Sequence, residues 1–181
     1  YVEGALSREQ VFLRKSEDYN KRNIALFTDE EVTVLDEKRK EVRTRQGSIF
    51  FYKQLLIAAG GRVKPWRMEG SGEVPVMRFQ TIDDADALHS KVTKTHEQDV
   101  VIVGGGFIAL ELLNAFLPRG MKDVQVLFPE NRYWEDYLDR EGSTLIEEHL
   151  ARRGVLLRPR ETATAAEVDK KTAADPVAAL A

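Results

Sequence analysis

Apolar positions change period twice along this chain. Residues 1–23 are polar with scattered apolar positions. Ser7, followed by Arg8, Glu9 and Gln10, fits a helix N-cap, and Val11, Phe12 and Tyr19 would form one buried side of a helix running to about Asn20. The pattern then shortens. Ile24-Ala25-Leu26-Phe27 predicts a short strand, and Val32, Val34 and the Leu35-Asp36 step alternate apolar with polar. Glu37-Lys38-Arg39-Lys40 is a polar turn, Glu41-Val42-Arg43-Thr44 a second alternating segment, and Gln46-Gly47-Ser48 the next turn. Ile49-Phe50-Phe51-Tyr52 leads into Gln54-Leu55-Leu56-Ile57-Ala58-Ala59-Gly60-Gly61. The expectation is a small antiparallel meander feeding a buried strand that ends in glycines.

Residues 62–80 carry Pro65, Gly70, Gly72 and Pro75 and predict a linker, in which Trp66 would pack against a neighbouring domain. Thr81 with Asp84 is a capping box opening a helix to about Thr95, with Ala85, Leu88 and Val92 as its apolar stripe. Val100-Val101-Ile102-Val103 is a β-branched strand that meets three glycines and then a helix-period pattern stopped by Pro118-Arg119-Gly120. Residues 124–128 predict a second strand. Asp139 opens a further helix, with Leu145, Ile146, His149 and Leu150 on one face and an end near Arg153-Gly154. Val155-Leu156-Leu157 predicts a third strand, and from Arg158 onward the chain predicts an irregular tail.

The turn at residues 104–109 carries the chemistry. Gly104, Gly106 and Ala109 satisfy G-x-G-x-x-G/A between a strand and a helix. The first small residue permits the tight turn, the second lets backbone approach a pyrophosphate, and the third keeps helix close to sheet. The unpaired amides and dipole of the helix start favour an anion there. Two acids strengthen the reading. Glu130 follows the second strand, about 20 residues on, where a ribose hydroxyl partner is expected. Glu111 is the only charge between Val100 and Pro118, and a carboxylate there needs a cleft or a partner. The bland alternative is a buried strand–helix–strand unit whose glycines only make the turn.

Composition narrows the rest. A formal net charge of −3 leaves no broad basic surface for nucleic acid. There are no cysteines, which excludes a disulfide framework, a zinc knuckle or a redox dithiol within these residues. The apolar run from Val100 to Pro118 approaches membrane-spanning length, but its glycines, Glu111 and Asn114 argue against a span. His89 and His96 fall on different helix faces, so neither is expected to bind metal. No general acid, nucleophile or metal constellation stands out. The start at Tyr1 suggests a processed or partial product.

Four stretches carry a resemblance. Gln54 to Gly61 is similar to the strand and A-T-G motif that passes a flavin, and Thr81 to Leu88 to the helix entering an NAD domain. Gly104-Gly105-Gly106-Phe107-Ile108-Ala109-Leu110-Glu111 resembles the fingerprint G-G-G-F-I-G-x-E, and Leu127-Phe128-Pro129-Glu130 resembles a second-strand end whose acid holds the adenosine ribose. Together they resemble the FAD-dependent pyridine nucleotide–disulfide oxidoreductase superfamily, in its ferredoxin/rubredoxin reductase and apoptosis-inducing-factor-like branch. The implied fold is α/β: a partial Rossmann-like core of parallel sheet with flanking helices over residues 65–160, and a small antiparallel β segment of an incomplete FAD domain over 1–64. Residues 161–181 are the expected tail.

The implied chemistry is hydride transfer from NAD(P)H, with NADH preferred, to FAD and then to an unknown electron acceptor. By this resemblance the pyrophosphate lies on the amides of Gly105 to Ile108 beside Gly104, Phe107 covers the space between nicotinamide and flavin, and Glu111 faces the nicotinamide. Glu130 takes the ribose, Arg132 flanks it without conferring NADP specificity, and Ala59 and Gly60 lie at the flavin. The family's FAD-binding fingerprint, late G-D motif and interface domain do not appear in this sequence, and Ala59 replaces the A-T-G threonine. The rival expectation is a degenerate, non-redox structural or assembly subunit of a larger complex. The compartment stays open between mitochondrion and cytoplasm. These 181 residues alone are predicted to bind no FAD. An absorption spectrum of the purified chain tests this, and a stoichiometric flavin band refutes it.

Overall fold

The computed structural model describes residues 1–64, 69, 76–94, 99–121, 123–165 and 177–180. Trp66, His96 and most of the expected linker and tail lie outside them. Two compact units are formed, one by Phe12–Arg62 and one by Tyr1–Val11 with Val63–Ala181.

In the first unit, helix α1 (Ser16–Asn20) precedes an antiparallel meander of β1 (Val32–Asp36), β2 (Glu41–Thr44) and β3 (Ile49–Phe51). Leu35 pairs with Val42, which pairs with Phe50. The Asp36 carboxylate accepts the Lys38 and Arg39 amides and so closes the expected turn. Buried Glu41 is held by Arg43, Nη2 to Oε1 at 2.6 Å.

Three expectations fail between Ser7 and Ala59. The helix from Ser7 to Asn20 is broken into a 3₁₀ turn (Glu9–Val11) and the five-residue α1. The Ser7 hydroxyl bonds the Glu9 carboxylate instead of capping an amide, and Val11 and Phe12 are exposed rather than buried. Residues 24–27 are not a strand, although Phe27 packs on Phe50 at 4.7 Å. Residues 54–59 are not a buried strand either, with Leu56 89% and Ile57 69% exposed. A strand needs a ladder for its backbone groups, and among the described residues no strand pairs with this segment.

The second unit holds an all-parallel sheet in the order β4 (Val76–Met77), β8 (Val177–Leu180), β5 (Val100–Val103), β6 (Val124–Phe128), β7 (Leu156–Pro159). Helices α2 (Ile82–Lys94), α3 (Phe107–Phe116) and α4 (Arg140–Arg152) connect it. The tail is not irregular at 177–180, because β8 runs parallel between β4 and β5. Its Val-Ala-Ala-Leu composition has little strand preference, so pairing with β5 rather than propensity makes it a strand.

The α2 capping box forms as expected: Asp84 accepts the Thr81 amide at 2.7 Å, and the Asp84 amide donates to Thr81 Oγ1 at 3.1 Å. Ala85, Leu88 and Val92 are buried, and with Val100, Ile102, Val124, Val126, Leu112, Leu113 and Phe116 they belong to one core. Gly120, at φ 76°, ends the 3₁₀ turn Leu117–Arg119 that follows α3. In α4 the expected face is rotated. Leu145 and His149 are exposed, while Ser143 and Leu150 are buried and Ile146 packs partly against the core. Tyr1 and Arg8 dock on α2 through Asp86 at 2.9 Å each, and the Tyr1 ring stacks on His89.

The strand order reverses at β5. Its first connection runs to β6 on one side, while β8 returns on the other. The carboxyl end of β5 is therefore the switch point where open α/β sheets place ligands.

The Thr81 amide above all, with the Gln80 amide, holds the Asp84 carboxyl below the usual carboxylate range against an opposing desolvation. A depressed folded value means the stabilisation is complete above the ordinary carboxylate range and is lost as pH falls through the depressed one. Asp84→Asn is expected to lower the melting temperature at neutral pH, by about 1 kcal/mol of stability as for other lost caps. It should also flatten the acid limb of the stability curve. An unchanged acid limb, followed by thermal unfolding across acid pH, would contradict this.

Candidate functional site: a glycine turn at the switch point

The turn out of β5 is built residue by residue. Gly104 has φ 115°, a left-handed conformation that glycine takes freely. Its N–H donates to the Leu127 carbonyl at 2.8 Å, so the turn starts while still bonded to β6. Gly105 passes so close to β6 that an added Cβ would lie 3.0 Å from the Phe128 Cβ. Gly106 is the α3 N-cap, at φ −81°, with nothing within 4 Å of where a Cβ would be. Ala109 is fully buried. Leu110 N–H is the first to bond back, to Gly106 O at 3.4 Å, which leaves the amides of Phe107, Ile108 and Ala109 without an intrahelical acceptor.

A cleft of about 180 Å³ opens beside this turn, with Gly105, Gly106 and Glu130 on one side. Trp134, Glu135, Asp136 and Tyr137 form the rest of its lining. Trp134 adopts φ 57°, and its carbonyl accepts the Tyr137 and Leu138 amides, both at 2.9 Å. The Phe107 ring meets Trp134 at 4.7 Å and Tyr137 at 5.3 Å. Beneath them Tyr133 is fully buried, edge-on to Phe128. Burial pushes its hydroxyl up to about 12. The neighbouring Trp134 indole opposes that rise, but the pair falls outside hydrogen-bond geometry, and the Tyr133 hydroxyl and Trp134 Nε1 are both buried with no bonding partner.

Of the residues singled out in the sequence, Gly105, Gly106 and Glu130 line one cleft, with Phe107 against its Trp134 and Tyr137 wall and Gly104 preceding it in the turn but not in its lining. Ile108 is 43% exposed, and Glu111 lies exposed one turn beyond Phe107. Arg132 is not in the cleft lining. Its Nε donates to the Ser143 hydroxyl and its Nη2 to the carbonyls of Leu138 and Glu135, so it braces the loop that carries the cleft wall. Ala59 and Gly60 are exposed in the other unit, Gly60 with φ 67°. Trp134, Glu135, Asp136 and Tyr137 went unrecognised. Their only signal was an aromatic-acid run in the segment joining β6 to α4. Among the described residues no group of three His, Asp or Glu side chains could hold a metal.

A parallel sheet with a glycine turn at its switch point defines a doubly wound, Rossmann-like chain. Its sequence matches the pyridine nucleotide-disulphide oxidoreductase family over residues 1–179, and the chain belongs to that family. It is 29% identical over 154 residues to a monodehydroascorbate reductase seedling isozyme of Cucumis sativus, covering 83% of this chain and 35% of the relative. It is 27% identical over 152 residues to an NADH-rubredoxin oxidoreductase of Clostridium acetobutylicum, covering 82% of this chain and 38% of that one. The fold matches the covalent putidaredoxin reductase–putidaredoxin complex with a TM-score of 0.86 at 24% identity, covering 100% of this chain and 47% of the other. It matches a water-forming NADH oxidase of Lactobacillus brevis bound to NADH with a TM-score of 0.83 at 19% identity, covering 99% and 42%. The chain thus spans 35–38% of the length of these curated relatives.

Gly105 separates a packing requirement from a ligand requirement. Gly105→Ala forces its Cβ against Phe128 and is expected to destabilise the chain by about 1–3 kcal/mol, the usual range for overpacking. Thermal unfolding measures this, and an unchanged melting temperature would show that β6 yields without cost.

Proposed function

We propose that this chain is the NAD(P)H-binding portion of an FAD-dependent oxidoreductase and that NADH is its preferred nucleotide. The observation that carries this reading is the open space at Gly106, at the start of a ten-residue helix and at the switch point. Backbone can approach a pyrophosphate there without steric obstruction, and the free amides of α3 face an anion with the helix dipole behind them. Glu130 in the same cleft supports NADH over NADPH. A carboxylate accepts hydrogen bonds from a ribose 2′-hydroxyl and repels a 2′-phosphate. When bound, the reduced nicotinamide supplies a hydride and the flavin accepts it.

The chain's own part is positional. Gly104 to Gly106 set the pyrophosphate height above the sheet, and Glu130 fixes the adenosine end. Phe107 and Ile108, both half exposed, offer an apolar edge that a bound nicotinamide would cover, and exposed Glu111 can orient the ribose or carboxamide beyond them. Ala59 and Gly60 are assigned to the flavin by the family pattern. The final electron acceptor is a separate molecule.

The non-redox structural subunit remains the second reading, on one observation. With Phe107 against Trp134 and Tyr137, the cleft of about 180 Å³ is below the usual ~300–1,000 Å³ of ligand pockets. Under the redox reading these rings must part to admit NADH.

Two variants of the full natural protein test the proposal. Gly106→Ala changes no packing contact and is expected to cost at most ~1 kcal/mol as a cap change, while its methyl blocks the pyrophosphate approach and weakens NADH in calorimetric titration. Glu111→Gln should leave the melting temperature unchanged, since Glu111 is exposed, and slow reduction of the flavin by NADH. If the unaltered protein shows no heat of NADH binding, the structural reading stands instead.

A further inference from the structure

A second, larger groove lies on the far side of the cleft wall. It measures about 460 Å³ and shares with the cleft only Glu135. Three guanidinium groups line it: Arg132 from the loop after β6, Arg140 from the first turn of α4, and Arg160 just after β7. Strand order brings these distant positions together, because β6 and β7 are neighbours and α4 connects them.

None of the three forms an ion pair with a carboxylate among the described residues. Arg132, half buried, donates only to neutral oxygens, the Ser143 hydroxyl and the Leu138 and Glu135 carbonyls. Arg160 donates from Nε to the Asn131 amide oxygen at 3.0 Å, and its terminal nitrogens make no bond. Two acids also line the groove, but each is committed to backbone. Glu147 Oε1 accepts the Tyr133 amide at 2.8 Å, and Glu135 accepts the Asn131 amide at 2.9 Å and its side-chain nitrogen as well. Among the described residues those bonds leave free donors on Arg140, on the terminal nitrogens of Arg160 and on Nη1 of Arg132, beside a Glu135 carboxyl that the Asn131 bonds, and then the Arg132 and Arg160 charges, hold below its usual range; the lining charges sum to one positive.

We propose that this groove binds a phosphate monoester. Guanidinium matches phosphate oxygens in bidentate geometry, and charge-assisted bonds of this kind are the strong ones. Thr144 adds a hydroxyl donor in the first turns of α4. The volume exceeds that of a bare phosphate and leaves room for the group that carries it. Two sources share this chemistry: a free phosphomonoester, or the 2′-phosphate of a dinucleotide seated in the neighbouring cleft.

The test is calorimetric titration of the full natural protein with inorganic phosphate, against sodium chloride of equal ionic strength, and then with 2′-AMP and 5′-AMP. Each is repeated on the double variant Arg140→Ala/Arg160→Ala. Both side chains are exposed and outside the glycine cleft, so NADH binding serves as the control for folding. The expected result is saturable phosphate binding that the double variant weakens by roughly tenfold or more, equivalent to ~1.4 kcal/mol, with NADH affinity unchanged. Equal binding of 2′-AMP and 5′-AMP through the arginines identifies a free phosphomonoester as the ligand. Arginine-dependent binding of 2′-AMP alone identifies the dinucleotide source; it keeps the site but overturns the NADH preference proposed above. Phosphate heats no larger than the chloride control, or heats that survive in the double variant, overturn the site.

Discussion

The site depends on one close approach. Where β5 ends, Gly104 is still bonded to Leu127, and Gly105 lies so close to Phe128 that an added Cβ would sit 3.0 Å from the Phe128 Cβ. That contact holds the start of α3 beside β6, and Ala109, fully buried, keeps the following turn there. The four-residue parallel register from Val100↔Val124 to Val103↔Leu127 makes it possible, because it delivers the last residues of both strands to the same edge. The groups that could hold an anion and the acid that could read a ribose therefore meet without either being placed by a long flexible segment. Glycine at 105 serves packing, whereas glycine at 106 borders open space. One motif thus contains one residue held by packing and another that caps a helix beside open space.

How much of this could be read from the sequence depends on how local the cause was. The β5–α3–β6 unit, the capping box at Thr81 and Asp84 and the β1–β2–β3 meander were all legible, because period, glycine placement and caps are properties of neighbouring residues. What failed was set by distant partners. Residues 54–59 have the composition of a buried strand but no described strand beside them. Residues 177–180 have nearly the opposite character, with two alanines and weak preference, yet they pair on both edges. The α4 face differs from its periodicity because Leu145, apolar and on the same predicted face as Ile146 and Leu150, is 68% exposed. In fact Ser143 faces inward, where its hydroxyl accepts from Arg132. The same bond explains why Arg132, close in sequence to Glu130, lines a different groove.

The cleft wall is a loop held from behind. Residues 131–138 have no strand or helix of their own, and Trp134 takes a left-handed backbone that is uncommon for a bulky residue. Two attachments to α4 fix the loop: Arg132 to Ser143, and the Tyr133 amide to Glu147. Tyr133 is a third anchor, buried against Phe128. The Phe107 and Tyr137 rings, by contrast, are 57% and 66% exposed, while Trp134 packs partly against the core and stacks on Tyr133. An exposed ring contact of this kind adds about 0.5–1.5 kcal/mol beyond its area, whereas fully buried Tyr133 also carries the stabilisation of its whole buried area. The loop's base is therefore the rigid part and its rim the part that can open. Under the proposed reading, a nucleotide entering beside Gly106 would have to displace the Phe107 and Tyr137 contacts while Arg132, Tyr133 and Glu147 keep the base in register with β6. Cleft opening and sheet integrity are then governed by different residues, so the rings at the mouth can move without loosening the glycine turn they cover.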